Sequence, residues 1–252
     1  MNFKDKKILI PGAARGLGKA IAIAFAESGG QVAIHYNTSE SEAAQTLKEL
    51  PGKNHFTIQG DLQDADKIKS LVENVEMQFG RIDILINNAA VIKYHPFVDV
   101  NYEEWQKAWN ETITVNLLAA ANLSYCVAQI MKKNGGGRIV NVSSRGAFRG
   151  EPDMPAYGAS KAGMNAMSQS LAQALGKWNI FVGAVAPGFI ETDRVAPILN
   201  GERGESIRNQ SPLGRVALPE EVARGVLFLA AEGTEFMTGA ILDINGASYL
   251  RS

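Results

Sequence analysis

The sequence contains few of the residues on which disulfide or metal chemistry depends. Its 252 residues include one cysteine and three histidines, and neither the histidines nor the carboxylates show ligand spacing for zinc or iron. The single cysteine, Cys126, excludes an internal disulfide and fits a reducing compartment. Its neighbours favour core packing over a reactive thiol. We therefore expect no disulfide and no catalytic metal.

An excess of charge and a long apolar segment are also lacking. The formal net charge at pH 7 is −1, so no overall field attracts nucleic acid or an anionic membrane. We find no apolar segment of membrane-spanning length, and the first residues run into a strand without the apolar centre of a signal peptide. These features predict a cytoplasmic protein whose partners are small molecules or its own copies.

Short apolar runs alternate with helical patterns along the chain. The runs that we interpret as strands lie near 7–10, 31–36, 55–59, 82–86, 138–142, 181–186 and 240–244. Alternation at this spacing predicts an α/β fold, in which a parallel sheet is covered by helices on both faces. No linker-like change of composition divides the chain, so we expect one domain over residues 1–252.

A glycine-rich loop follows the first strand. Gly12, Gly16 and Gly18 separate that strand from the first helix, with Arg15 and Leu17 between them. Glycines at such a junction let the main chain approach a phosphate at the helix amino terminus, where free N–H groups and the helix dipole attract anions. The loop predicts a dinucleotide site, although its spacing differs from the commonest fingerprint. The alternative is an ordinary tight turn.

The end of the second strand indicates which dinucleotide binds. Residues there face the adenosine ribose in folds of this kind, and an acidic side chain would select NAD. This chain has only uncharged side chains at that point, namely Tyr36, Asn37, Thr38 and Ser39. With Arg15 in the glycine loop, they favour the 2′-phosphate of NADP. The alternative is a solvated arginine beside a polar turn.

A second group of polar residues centres on Tyr157 and Lys161. On a helix these residues lie four apart on one face, so the phenol and the ammonium can share a pocket. An adjacent ammonium lowers the phenol pKa from about 10, which makes a proton donor usable near neutral pH. Ser144 follows a predicted strand, where its hydroxyl can meet a substrate oxygen. The same Tyr–Lys spacing also occurs on solvated helix faces.

Three further features each have two interpretations. Asp61, after the third strand, either begins the next helix or contacts the adenine amino group. Asn116, inside a long helical pattern, either makes a structural hydrogen bond or forms a polar relay towards Lys161. The segment from Ile190 to Pro212 lacks a clear period, and we expect it to cover the substrate as a lid near 189–212; it could equally be a plain solvated loop.

From Gly12 to Gly246, the order and spacing of these motifs resemble those of the short-chain dehydrogenase/reductase family. Five motifs agree, namely the glycine loop, Asn87-Asn88-Ala89, Asn116, Ser144 with Tyr157 and Lys161, and Pro187-Gly188. Within the family, the chain is most similar to bacterial 3-oxoacyl-acyl-carrier-protein reductases and related sugar and alcohol dehydrogenases. The resemblance implies a single Rossmann-type, doubly wound domain with a seven-stranded parallel sheet, and a homotetramer.

The resemblance also implies a role for each matching residue. Tyr157 would protonate the carbonyl oxygen, Lys161 would lower the phenol pKa and hold the nicotinamide ribose, and Ser144 would orient the substrate oxygen. Asn116 would support a water relay through Lys161. The further cofactor contacts would be Gly12, Arg15, Gly16, Leu17, Gly18, Tyr36, Asn37, Thr38, Ser39, Asp61, Leu62, Asn88, Ala89, Ala90, Pro187, Gly188, Ile190 and Thr192.

The activity implied is NADP(H)-dependent reduction of a ketone, such as a 3-oxoacyl thioester, to a secondary alcohol. An acidic carrier protein would need basic residues at the site mouth, and Lys132, Lys133 and Arg138 are candidates. Gln173 stands where carrier-binding reductases tend to have arginine. The alternatives are a sugar, polyol or secondary-alcohol dehydrogenase and a catalytically silent cofactor-binding scaffold, which should have lost at least one of the proposed catalytic groups.

Pro11 departs from the family pattern. It stands where threonine usually opens the glycine loop, so a hydroxyl and an N–H are missing there. No catalytic group is lost by this departure. We expect its consequences in the anchoring of the loop.

Overall fold

Strands and helices alternate through residues 1–251, which are the residues that this computed structural model describes. The strands are β1 (Lys7–Ile10), β2 (Gln31–Tyr36), β3 (Phe56–Gln59), β4 (Ile84–Asn87), β5 (Gly137–Val142), β6 (Ile180–Pro187) and β7 (Ile241–Ile244). The α-helices are α1 (Gly16–Glu27), α2 (Glu40–Glu49), α3 (Ala65–Phe79), α4 (Tyr102–Ile113), α5 (Ala119–Lys133), α6 (Gly146–Arg149), α7 (Pro155–Leu175), α8 (Ala196–Leu199), α9 (Gly204–Arg208) and α10 (Pro219–Ala230).

All seven strands belong to one parallel sheet, in the order β3-β2-β1-β4-β5-β6-β7. The chain order reverses between β1 and β4. In doubly wound sheets, ligands bind outside the carboxyl ends of the strands at such a reversal. The predicted α/β fold, with one Rossmann-type sheet of seven strands, is therefore confirmed.

The core lies on both faces of the sheet. Ile8 and Ile10 of β1 pack into one apolar cluster with α1 and α10, whereas Leu9 packs into a second cluster with α3 and α5. All three side chains are fully buried. Because successive residues of a strand point to opposite faces, a short apolar run without polar alternation needs helices on both sides. This packing fixes the sheet edge where the site residues meet.

The long helical stretch corrects one expectation. Residues Tyr102–Lys133 form 32 continuous helical residues, with a most apolar window of mean hydropathy 1.4 that is long enough to cross a membrane by length and composition. The expectation that no such segment occurs is therefore wrong. In the structure, 44% of this window is buried inside the domain, where α5 packs on α3 and α4 packs on α7. The stretch therefore packs against two other helices of the domain.

The beginning of α3 separates the two interpretations of Asp61. Asp64 caps this helix, because its carboxylate accepts hydrogen bonds from the N–H groups of Asp66 and Lys67. Asp61 instead accepts the N–H of Gln63 at 3.0 Å, before the helix. The interpretation that Asp61 begins the helix is therefore wrong, and Asp61 lies in the loop after β3.

Candidate active site

The glycine loop leaves no room for a side chain at Gly12 or Gly18. Gly12 and Gly16 have φ angles of +73° and +57°. A Cβ added to Gly18 would lie 2.3 Å from the carbonyl oxygen of Gly12, and one added to Gly12 would lie 2.9 Å from Cα of Ala89. Among the described residues, no side chain caps the amino terminus of α1. This cradle and its free N–H groups fit a pyrophosphate.

Two side chains hold the loop in place. The N–H of Gly12 donates to Nδ1 of His35 at 3.1 Å, and Nε2 of His35 lies 3.0 Å from the carbonyl oxygen of Gly60. The amide of Asn88 donates to the carbonyl oxygens of Pro11 and Gly12 at 3.1 and 3.0 Å. Pro11 therefore leaves the loop anchored from both β2 and the end of β4.

His35 is a functional candidate that the sequence interpretation missed. It accepts from Gly12 through Nδ1, so its neutral form carries the proton on Nε2 and donates to Gly60. Burial lowers the pKa of this imidazole to about 4 and keeps it neutral. The only sequence signal is a histidine inside an apolar strand, which is more often ordinary core packing.

The expected ribose end of the cleft contains a carboxylate that was not anticipated. Tyr36, Asn37, Thr38 and Ser39 form the end of β2 and the turn before α2, as expected. Arg15 is exposed beside them, and its guanidinium lies 3.7 Å from the Glu42 carboxylate. The sequence interpretation considered only residues 36–39, and Glu42 follows them in the first turn of α2. Glu42 reduces the positive charge available to a 2′-phosphate.

The structure brings Tyr157, Lys161 and Ser144 together. Both Tyr157 and Lys161 lie on α7, and Nζ of Lys161 is 5.8 Å from the centroid of the phenol ring. Ser144 follows β5, and its hydroxyl lies close enough to the phenol to lower the pKa of Tyr157. Its Oγ also accepts the N–H of Gly146 at 3.0 Å. Tyr157 and Lys161 therefore lie in one pocket, as their spacing predicts.

The predicted direction of the phenol pKa is wrong. Burial raises the pKa of Tyr157, while the hydrogen bond from Ser144 lowers it by a smaller amount. Lys161 is not among the groups that shift this pKa, and its Nζ donates to the carbonyl oxygen of Val142 at 2.7 Å. Lys161 is itself only 1% exposed, and burial lowers its pKa to about 8. The phenol is therefore protonated at neutral pH.

Asn116 lies in a π-helical turn, Thr114–Leu118, between α4 and α5. Its Oδ1 accepts the N–H of Val91 at 2.8 Å, and its Nδ2 donates to the Val91 carbonyl oxygen and to Oγ of Ser160 at 3.0 and 3.2 Å. These bonds tie the loop after β4 to α7. The structure therefore supports the interpretation of Asn116 as a structural hydrogen-bonding residue, adjacent in space to the residue before Lys161.

The remaining predicted cofactor residues line the same edge of the sheet. Leu62 follows β3, Asn88, Ala89 and Ala90 follow β4, and Pro187 and Gly188 end or follow β6. The methyl group of Thr192 lies 3.6 Å from the position of a Cβ on Gly16, so the chain after β6 reaches across to the glycine loop. Ile190 forms an isolated parallel β-bridge with Ala217.

The segment predicted as a lid is anchored at its base. The N–H of Glu191 donates to the carbonyl oxygen of Ala217 at 2.8 Å. The N–H of Ala217 donates to the carbonyl oxygen of Phe189 at 3.0 Å. Between these residues, α8 and α9 enclose a small apolar cluster of Leu199, Ile207 and Val216. The segment is thus a folded unit beside the site, and its movement as a lid stays a prediction.

His95 is a second residue that the sequence interpretation missed. The first turn of α7 has Pro155, which has no N–H, and no capping side chain on Met154. Nε2 of His95 accepts the N–H of Ala156 at 3.2 Å, and its Nδ1 lies 2.7 Å from the Lys93 carbonyl oxygen. His95 therefore caps the helix that carries Tyr157. No local pattern predicts a contact across 61 residues.

The basic residues proposed for carrier-protein contact lie at the wrong edge of the sheet. Lys132 and Lys133 end α5, and Arg138 is at the amino end of β5, opposite the edge that holds Tyr157. The Arg138 guanidinium is also nearly buried and pairs with Glu235. That hypothesis is wrong for these three residues, because the intervening strand separates the two edges.

Within residues 1–251, no three His, Cys, Asp or Glu side chains are arranged to hold a metal ion. The absence of a metal cofactor stays a prediction. Cys126 is a free thiol on α5 that packs beside the second apolar cluster. Burial raises its pKa, which makes it a poor nucleophile.

Comparisons with known proteins agree with this geometry. Residues 12–247 match the profile of a family described as Enoyl-(Acyl carrier protein) reductase. The chain is 39% identical over 250 residues to the 3-oxoacyl-[acyl-carrier-protein] reductase FabG of Thermotoga maritima, which covers 98% of each chain. It is 36% identical to FabG of Escherichia coli K12, over 99% of this chain and 100% of that one. It is also 37% identical to the 3alpha-hydroxysteroid dehydrogenase of Mediterraneibacter gnavus, over 98% of each chain.

These relatives span the whole described domain, and the doubly wound sheet carries the Ser144, Tyr157 and Lys161 side chains at its carboxyl edge. The chain therefore belongs to the short-chain dehydrogenase/reductase family of NAD(P)-dependent oxidoreductases.

Proposed function

We propose that the protein is an NADP(H)-dependent carbonyl reductase that converts a ketone into a secondary alcohol. The observation that carries this proposal is the convergence of Tyr157, Lys161 and Ser144 at the sheet edge that also bears the glycine cradle. A silent scaffold would not need a protonated phenol beside a second hydroxyl. The convergence therefore favours catalysis.

The protein residues supply positioning and a proton. The bound nicotinamide supplies the hydride. Tyr157, whose pKa is raised, donates its phenolic proton to the carbonyl oxygen as negative charge develops there, and the Ser144 hydroxyl donates a hydrogen bond to the same oxygen. Lys161, on the same pocket wall, would hold the nicotinamide ribose. Its pKa of about 8 keeps the amine largely protonated at neutral pH.

The cofactor would extend along the carboxyl edge from the glycine loop to β6. Gly12, Gly16, Leu17 and Gly18 would hold the pyrophosphate against α1. Asp61 and Leu62 would contact the adenine, and Asn88 to Ala90 the adjoining ribose. Pro187, Gly188, Ile190 and Thr192 would contact the nicotinamide end. The reach of Thr192 to Gly16 supports a cofactor held between these two segments.

NADP(H) is proposed over NAD(H) on the chemistry of the ribose end. Asn37 and Thr38 are exposed neutral donors, and Arg15 is an exposed cation beside them. A 2′-phosphate would compete with the Glu42 carboxylate for Arg15. NAD has no phosphate at this position that could replace the ion pair between Arg15 and Glu42. Comparing kcat/KM for the two cofactors tests this, and a clear preference for NADH would refute it.

The proposed substrate is a 3-oxoacyl thioester, as the names of the FabG relatives suggest. The second candidate is a secondary-alcohol or sugar dehydrogenase activity, supported by the hydroxysteroid dehydrogenase relative and by Gln173. The placement of Lys132, Lys133 and Arg138 at the opposite edge removes one argument for a carrier protein. Arg149 and Arg194 are exposed near the site and are the remaining basic candidates.

The test is a substrate panel followed by the absorbance of NADPH. Oxidation of NADPH with an acetoacetyl thioester, and its loss in Tyr157→Phe, would support the reductase. Turnover of a sugar, a polyol or a hydroxysteroid with no turnover of the thioester would favour the second candidate. Undiminished turnover in Tyr157→Phe would show that the proposed proton donor is wrong.

We propose further that the protein is a cytoplasmic homotetramer. Leu118 and Tyr125 on the long helical stretch are 50% and 68% exposed, and Phe228 and Phe236 near α10 and β7 are 42% and 105% exposed. Two separate apolar surfaces of this kind suit an assembly with two types of two-fold contact. Light scattering on the purified protein would measure its mass, and a monomer at micromolar concentration would refute the tetramer.

A further inference from the structure

A cavity of about 120 Å³ lies between the segment after β6 and the end of β7. One part of its wall is formed by Arg145, Phe189, Ile207, Ser211, Leu213, residues 215–217 and Glu221, and the other by Ile244, Asn245, Gly246 and Ser248. Ser144, Tyr157 and Lys161 do not line it. The cavity therefore adjoins the candidate active site but is separate from the side chains that would perform the chemistry.

Arg145 is an unusual buried cation. It is 4% exposed, and among the described residues its guanidinium has one hydrogen-bond acceptor, the neutral Oε1 of Gln210. Cζ of Arg145 lies over the ring of Phe189, 5.1 Å from the ring centroid. A buried guanidinium normally pairs with a carboxylate or another anion, because leaving its N–H groups unpaired costs free energy. Nε and Nη1 of Arg145 have no acceptor among the described residues and are not sealed from solvent, so both can donate to a bound anion.

The other charged groups around the cavity do not supply an acceptor for these N–H groups. Arg215 lines the same cavity, but both of its terminal nitrogens bond the Glu221 carboxylate at 2.7 Å. Glu151 attracts Arg145 and Arg149 repels it, so the two partly cancel. The lining groups Arg145, Arg215 and Glu221 therefore sum to one positive charge.

A second polar group in the wall also lacks a partner. Oγ of Ser248 is buried, and no described residue hydrogen-bonds it. It lies 3.3 Å from the position that a Cβ on Gly188 would take, so it adjoins the Pro187-Gly188 turn. An excess positive charge and a free hydroxyl in one small cavity match the needs of an oxyanion.

We propose that this cavity binds a small oxyanion, a carboxylate or a phosphate, on the free N–H groups of Arg145 with the Ser248 hydroxyl as a second donor. The anion would join the end of β5, the folded segment after β6 and the end of β7. It is either free in solution or part of the ketone substrate. The site goes beyond the proposed reductase activity, and its detection requires no turnover.

The test is a titration of the NADPH complex with inorganic phosphate and, separately, with acetate. NADPH occupies the glycine loop, which would otherwise bind anions itself. We expect a saturable rise in Tm and a binding isotherm by calorimetry that chloride at equal ionic strength does not produce. A competitive effect of phosphate on the ketone KM would assign the site to the substrate, and a non-competitive effect would assign it to a free anion.

Three variants decide whether Arg145 holds the anion. Arg145→Gln should weaken phosphate binding at least tenfold. Gln210→Glu keeps Arg145 and places a carboxylate beside its guanidinium. Because the buried positive charge is then paired, this variant should not bind phosphate. The control is Arg149→Gln, because Arg149 also reaches Gln210, at 3.5 Å, but does not line the cavity. Its binding should stay within twofold of the parent protein.

The proposal is overturned if phosphate and acetate give no saturable binding to the NADPH complex. It is equally overturned if Gln210→Glu binds phosphate as the parent does. Should Arg145→Gln fail to fold, Gln210→Glu and Ser248→Ala carry the test, with several-fold weaker binding expected for Ser248→Ala.

Discussion

Replacing Lys161 with methionine should stabilise the protein while abolishing its activity. Lys161 is buried, and its pKa falls from 10.5 to about 8. At 1.36 kcal/mol for each tenfold change, holding this ammonium in the interior costs about 3 kcal/mol. Methionine of similar length removes that cost but leaves the Val142 carbonyl oxygen without a donor, which loses about 1 kcal/mol. The expected net gain at pH 7 is about 2 kcal/mol.

The pH dependence separates this cause from improved packing. Below pH 8 both the folded and the unfolded lysine are charged, so the full penalty applies. Between pH 8 and 10.5 the folded lysine is neutral while the unfolded one still binds a proton, and the stability of the parent protein rises relative to the variant. The advantage of the variant should fall from about 2 kcal/mol at pH 7 to about zero at pH 9.5.

Urea unfolding followed by tryptophan fluorescence at both pH values measures this change. Protein concentrations must match, because the stability of an oligomer depends on them. Lys48→Met, at an exposed position on α2, is the control for removal of a solvated charge and should change stability by less than about 0.5 kcal/mol. A stabilisation of Lys161→Met that is equal at pH 7 and pH 9.5, or a less stable variant at pH 7, would refute the assigned cause.

Three further outcomes test the cofactor cleft. Acidification from pH 6.5 to 4 should destabilise the protein by up to about 3 kcal/mol, because folded His35 has a pKa of about 4 and the unfolded imidazole takes up its proton first. In urea unfolding, the free energy of unfolding of His35→Asn should not show this dependence on pH. Gly18→Ala should abolish NADPH binding by fluorescence titration while circular dichroism stays unchanged, since its Cβ would lie 2.3 Å from the Gly12 carbonyl oxygen. Glu42→Gln should raise the ratio of kcat/KM for NADPH over NADH several-fold by freeing Arg15, and an unchanged ratio would contradict that role for Arg15.

Local features of the chain were predictable because they depend on neighbours in the sequence. The apolar runs gave the positions of all seven strands within a few residues, since a strand buried on both faces must be continuously apolar. Tyr157 and Lys161 share a pocket because four residues on a helix return to one face. The glycine loop was likewise recognisable from its position between a strand and a helix.

Contacts between distant segments were decided only in three dimensions. His35 reaches Gly12 because β2 lies beside β1, and His95 caps α7 because the loop after β4 lies against it. The phenol pKa of Tyr157 rises because packing removes water from it, an effect that residue spacing does not contain. The sequence by itself determined which elements form and which side chains are close along them. The tertiary structure decided their charge states and partners, because burial and long-range hydrogen bonds depend on the order in which the strands assemble.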